Sequence, residues 1–169
     1  MKLTSSEAAK LLKKLNDEYS SIKEKEKMTR IFTASFGEDV ESIRPEYNYD
    51  KTKAFLDESE RKIRTLKHAL NVFNVTHTVP GFNMTLDEIL IYSPQLTARK
   101  QKLAEMKSRL PKMRVEQFYS RTGYVIDYSY VNYDISAVES DYEKVADELT
   151  RAQLALDSVN SGETFDVEF

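Results

Sequence analysis

From Ile135 onward, apolar residues recur three and four positions apart without a gap: Ile135, Val138, Tyr142, Val145, Leu149, Ala152, Leu156 and Val159. That spacing is the seam of an α-helix packed lengthwise on another helix. Three further segments repeat it. Ala8, Leu12, Leu15, Tyr19 and Ile22 predict a first helix that opens at Thr4 or Ser5 and runs to Lys27. Thr4 and Glu7 are spaced as a capping box, in which each side chain serves a free backbone N–H of the first turn. Leu56, Ile63, Leu66, Leu70 and Phe73 predict a second helix from Asp50, its N-cap, to near Phe73. A second capping box, Thr85 with Glu88, opens a third helix that turns Leu86, Ile89, Leu90, Leu96, Leu103 and Leu110 inward. Pro94 falls about two turns in and predicts a kink, or a restart with Ser93 as cap. Pro111 closes this helix. The fourth runs from Asp134 to about Val159, with Asn160 and Gly162 as stop signals.

Between the helices the pattern changes. Thr29 to Phe36 switches to β-branched and aromatic residues and reads as a strand. Gly37 to Asn48 is a polar connection. Arg114–Tyr119 and Tyr124–Val131 flank Arg121-Thr122-Gly123 and predict a β-hairpin. An isolated hairpin is barely stable, so the strand near 29–36 is the natural third member of its sheet. The expected fold is mainly α. It has long antiparallel helical hairpins, or a four-helix coiled-coil-like bundle, with a small antiparallel β element, all in one domain over residues 1–169.

The seams are narrow, nearer to coiled-coil faces than to globular ones. Each long helix extends about 33–39 Å at the usual rise. Rods of this kind bury little alone, which argues for a core completed by further copies of the chain.

Composition narrows the function. The chain has no cysteine, which excludes thiolate nucleophiles, disulfides and cysteine-bound zinc or iron–sulfur sites. Four glycines and four prolines leave little room for long loops or a phosphate-cradling glycine loop. The first residues lack the apolar stretch of a signal peptide, and Ile89-Leu90-Ile91-Tyr92 is too short to span a bilayer. A soluble, cytoplasmic protein without membrane contact is therefore expected. The two histidines, His68 and His77, have no residue partners in a nucleophile, base or metal pattern. Thr65 and Asn74, three positions before them, remove a Glu-x-x-His di-iron motif. No enzyme activity and no cofactor are expected, because no residue set supplies a base, a nucleophile and an oxyanion stabiliser together. An enzyme site formed only between subunits, using the Asn71–Asn74 loop or His77, ranks last.

Charge is unevenly placed. Residues 97–121 hold eight basic and two acidic side chains, while 127–169 hold two basic and eleven acidic ones. The two segments are suited to pair within the fold or across a subunit interface. Alternatively Lys100, Lys102, Lys107, Arg109 and Arg114 offer a cationic face to a polyanion. The hairpin tyrosines Tyr124, Tyr128 and Tyr130 alternate onto one strand face, with Lys112, Arg114 and Arg121 nearby. Tyrosine beside cations holds single-stranded nucleic acid in some proteins, but the same pattern describes subunit contact. Tyr124, Tyr128, Tyr130, Tyr142 and Leu149 are thus the candidate interface residues.

Leu70-Asn71-Val72-Phe73-Asn74, Gly81 and Thr85-Leu86-Asp87-Glu88-Ile89-Leu90 together resemble the central signature of an uncharacterised bacterial family sometimes labelled septicolysin. Its members read Ile-Asn, a second Asn three residues on, a Gly, then Thr-Leu-x-Glu-Ala-Leu. The resemblance extends in order over most of the chain, from the leucine-rich opening helix to the strand that runs into Asp134-Ile135-Ser136-Ala137-Val138. It implies a helical hairpin with a small β element, assembled into a ring-like homo-oligomer, a hexamer, and it implies no activity. After Glu88 the family carries Ala-Leu and an Arg-Asp pair, where this chain has Ile89-Leu90-Ile91-Tyr92-Ser93-Pro94. If the motif is structural, Asn71 and Asn74 cap the helix end, Gly81 supplies a positive φ, and Thr85 with Glu88 caps the next helix. The expected function is a non-enzymatic, self-assembling helical scaffold or binding module. The alternative is a nucleic-acid-binding protein using residues 97–121 and the tyrosine hairpin.

Overall fold

The computed structural model describes residues 1–115 and 127–169. In chain order the elements are β1 (Lys2–Thr4), α1 (Ser5–Thr29), α2 (Val40–Ile43), α3 (Tyr49–Thr76), α4 (Leu86–Lys107), β2 (Lys112–Arg114), β3 (Tyr128–Tyr130), α5 (Ile135–Gly162) and β4 (Thr164–Asp166). The fold is mainly helical with two small antiparallel strand pairs, β1–β4 and β2–β3. The chain forms two compact units, Met1–His77 with Asp157–Phe169, and Thr78–Leu156.

In the first unit α1 and α3 run antiparallel. The Tyr19 hydroxyl donates to Glu60 at 2.7 Å, and the Tyr47 hydroxyl donates to Glu26 at 3.1 Å. The α1 seam behaves as its spacing predicts, with Ala8 buried and Leu12, Leu15, Tyr19 and Ile22 half-buried. Leu66 meets it from α3. The strands at the chain ends close this core. Leu3 pairs with Phe165 across β1 and β4, the Val167 N–H donates to the Met1 carbonyl at 2.9 Å, and Leu3, Ala8, Leu66 and Val167 form one buried cluster. Phe73 extends it, stacked on Phe165 at 5.1 Å and on His77 at 4.8 Å.

In the second unit α4 packs antiparallel against α5. Tyr92 near the start of α4 donates its hydroxyl to Glu148 at 2.7 Å, and the Tyr133 hydroxyl just before α5 donates to the Met106 carbonyl at 2.8 Å. The hydrogen bond to a carboxylate raises the Tyr92 phenol above its ordinary pKa. Leu96, Val145, Leu149 and Ala152 are the buried centre, flanked by Phe82, Tyr92 and Leu103. The seven residues of the α5 seam that fall in this unit, Ile135 to Leu156, are buried or half-buried, and Val159, in the first unit, is buried too.

Both capping boxes form. Thr4 and Glu7 exchange their bonds at the start of α1, as do Thr85 and Glu88 at the start of α4. The backbone N–H groups of Thr4 and Thr85 hold Glu7 and Glu88 below the usual carboxylate range. Thr85→Ala is expected to cost about 1 kcal/mol, read as a lowered urea midpoint with an unchanged slope.

Several expectations are corrected. Residues 29–36 are not a strand: α1 continues to Thr29, and 32–35 have no ladder partner. Their β-propensity is a tendency to pack on a pleated neighbour, and among the described residues none is within reach. The segment keeps only the alternation, with Phe32 and Ala34 half-buried and Ile31, Thr33 and Ser35 exposed. Arg44 lies over the Phe32 ring at 5.4 Å. A turn follows, in which the Glu38 N–H donates to the Ser35 carbonyl at 3.1 Å and Gly37 takes φ +91°. The polar connection after it contains the short helix α2. The N-cap of α3 is Asn48, whose side chain accepts the Lys51 N–H, rather than Asp50. Asn71 and Asn74 lie inside α3, which ends only at His77, so neither caps it; Gly81 does take φ +80°.

Pro94 does not restart α4, which is one helix from Leu86 to Lys107. The missing N–H leaves the Leu90 carbonyl without its helical donor, and both residues are exposed, where water can serve it. Ser93 is no cap; its hydroxyl donates back to the Ile89 carbonyl at 3.0 Å. Leu90 and Leu110, expected inward, are 44% and 65% exposed. Leu110 lies beyond the end of α4 and so escapes its seam. The hairpin strands start at Lys112, two residues early, and the predicted tip 121–123 falls outside the described residues.

Candidate functional site

The hairpin's character follows from its register. Lys112 faces Tyr130, Met113 faces Ser129 and Arg114 faces Tyr128. Side chains opposite each other share a face, so one side of the ribbon carries Lys112, Arg114, Tyr128 and Tyr130. The Lys112 ammonium lies 4.0 Å from the Tyr128 ring centroid and 5.5 Å from that of Tyr130. A cation over an aromatic face is worth about 0.5–1 kcal/mol at an exposed site. The pairing extends past the strands: the Val115 N–H donates to the Asp127 carbonyl at 2.9 Å, and the Val131 N–H to the Pro111 carbonyl at 3.3 Å.

Apolar side chains stand exposed on and beside this ribbon. Leu110, Met113, Val115, Tyr128 and Tyr130 all stand in solvent, Leu110 and Tyr130 each at 65% exposure. Leu110 and Met113 were not candidates from sequence. Their signal was available in the apolar residues that continue beyond the capping end of α4, where a helix seam has no further claim on them. Tyr124, a candidate contact residue, lies outside the described residues.

The other candidates separate. Leu149 is buried against Leu96 and belongs to the chain's own core, which removes it from any outer contact surface. Tyr142 is half-buried on the same helix pair, with the ammonium groups of Lys107 and Lys100 at 4.0 and 5.8 Å from its ring centroid. Two of the five candidate polyanion residues are therefore folded onto an aromatic face. Lys102 lines the opposite flank of α4 and α5 together with Arg99. Arg109 and Arg114 are exposed. Among the described residues, none of Arg99, Lys102, Arg109 or Arg114 makes an ion pair, and no ion pair links 97–115 to 128–169. The pairs Lys14–Glu18, Glu41–Arg44, Glu58–Arg61, Glu58–Lys62 and Asp141–Lys144 each join residues three or four apart on one helix or turn.

The histidines stand apart. His68 is exposed on α3. His77 caps the end of α3 through its backbone N–H to the Phe73 carbonyl at 2.9 Å, with its ring stacked on Phe73 and its Nε2 buried without a partner. Among the described residues no group of three or more metal-ligating side chains gathers. No helix there is long and apolar enough to cross a membrane.

No protein-family profile matches the chain, and no curated protein does. A solved structure, described as a functionally unknown conserved protein from Corynebacterium diphtheriae, is similar to it in fold. The TM-score is 0.58 at 15% identity, over 98% of this chain and 100% of that chain. At that identity the likeness concerns the fold alone.

Proposed function

We propose that this chain is a non-enzymatic protein that binds copies of itself, with the β2–β3 hairpin as the contact surface. One observation carries the reading. Met113, Tyr128 and Tyr130 stand exposed on the two faces of a two-stranded sheet that has no third strand among the described residues, with Leu110 and Val115 exposed just beside it. A bare two-stranded ribbon is marginal in water, and a cluster of exposed apolar side chains is the usual mark of a surface that meets a partner. A second copy fits because residues 97–115 are mainly basic and 128–169 mainly acidic, and among the described residues no ion pair joins them. A contact between unlike surfaces of two copies would bring them together, and repetition of such a contact closes rings. The resemblance to the septicolysin-labelled family makes six protomers the closed form to expect.

The paired substitution Met113→Glu with Tyr130→Ala tests the surface. Both side chains are exposed, so the helical circular dichroism should be unchanged while light scattering falls to the mass of one protomer. An undiminished mass would place the contact elsewhere.

A second reading rests on Tyr128 and Tyr130 sharing a face with Lys112 and Arg114. It makes the ribbon a platform for single-stranded nucleic acid. Lys112 already covers the Tyr128 ring, so a stacking base would have to displace it. Under this reading a labelled oligonucleotide binds with an affinity that falls steeply with salt, and Tyr128→Ala abolishes binding without changing the protein's mass.

A further inference from the structure

The α1–α3 pair carries a second feature that the hairpin reading does not use. After Glu60, α3 has no acidic residue to its end, yet it carries Arg61, Lys62, Arg64, Lys67 and His68. Arg61 and Lys62 are satisfied by Glu58, at 2.8 and 3.4 Å, and the Arg61 hydrogen bond holds that carboxyl down to about 2. Among the described residues Arg64 and Lys67 have no such partner.

Residues 64, 67, 68 and 71 lie at helical spacing on one face of α3, beside Asn16 and Tyr19 of α1. They line a single open-sided groove of about 490 Å³ in the first unit, a volume in the range of small-molecule sites. Glu60, which also lines the groove, has its carboxylate engaged in accepting the Tyr19 hydroxyl at 2.7 Å, and Lys23 lies over the Tyr19 ring at 5.4 Å. The groove therefore combines a guanidinium, an ammonium, an imidazole and two amides with the Tyr19 ring and the half-buried Ile63.

Arg64, Lys67 and His68 lie about two to three turns before the end of α3, whose last turn holds no basic residue, so the helix dipole does not explain their presence. Nor does it account for their gathering in one concavity with two amides. We propose that this groove binds a small molecule bearing a phosphoryl group, held by Arg64, Lys67 and His68. A carboxylate offers two oxygens, which the Arg64 fork alone would occupy. A phosphoryl group offers three and a second negative charge, which matches the larger set of donors.

The chain's two histidines make the test direct, because His68 lines the groove and His77 does not. Sodium pyrophosphate is titrated into the labelled protein while the imidazole resonances are followed, with sodium chloride at matched ionic strength as reference. His68 should shift along a saturating curve and His77 should stay still. Arg64→Gln with Lys67→Gln should weaken the curve about tenfold or more, with unchanged helicity because both side chains are exposed. Arg61→Gln, outside the groove, should leave it intact. A non-saturating drift, the same shift with chloride, or an unaltered curve in the double variant would overturn the proposal.

Discussion

Leu149→Asp is expected to unfold the second unit. Leu149 is 7% exposed, and its buried neighbours Leu96, Val145 and Ala152 offer no donor to a carboxylate. The substitution loses the burial of a leucine, about 1.5–3 kcal/mol, and adds the cost of an unpaired polar group, about 1–3 kcal/mol or more. The sum is comparable to the whole stability of a small domain, about 5–15 kcal/mol. Far-ultraviolet circular dichroism should show the loss of the α4 and α5 helicity. A folded Leu149→Asp protein with normal helicity would mean that this face of α5 does not rest on Leu96.

Leu66→Ala should have the next largest effect. Leu66 is fully buried in a cluster with Leu3, Ala8 and Val167 in the first unit. Truncation of a buried leucine costs about 2–5 kcal/mol, and the upper part of that range applies where neighbours cannot close the gap. The neighbours here include, beside α1, the two short end strands, each held by three paired residues. Those strands should loosen first. Hydrogen exchange at the Val167 amide, which donates to the Met1 carbonyl, should accelerate well before the α1–α3 pair melts in urea. Slow exchange of that amide in the variant would show that β1 and β4 are held by something other than this core.

What the sequence reveals and what it hides divide along physical lines. A helix is a local object, so its seam and its caps can be read from a few residues. Ile135 through Val159 and the two Thr–Glu boxes appear in the structure as their spacing predicts. A strand depends on a partner far along the chain. Thr29–Phe36 has the composition of a strand and lacks the partner, while Lys2–Thr4 and Thr164–Asp166 have little β signal and pair because the fold brings the chain ends together. The seam of α5 says that the helix has an apolar face. It does not say whose surface covers that face, which is why Leu149 reads equally as interface and as core until Leu96 is seen against it. The hairpin tyrosines were visible from their alternation, and the structure shows exposed Met113 on the ribbon's other face and exposed Leu110 just before it. The α1–α3 groove was hidden because its donors come from two helices, although the absence of acids after Glu60 in α3 was there to be noticed.

The central claim is self-association through the hairpin, and the solution mass of the purified, nuclease-treated protein tests it most directly. Light scattering at near-physiological salt should give a single species well above the 19.6 kDa of one chain, and six protomers if the ring implied by the resemblance forms. A mass of one protomer across the accessible concentration range would contradict it. The exposed hairpin would then have to be explained by a partner other than this chain.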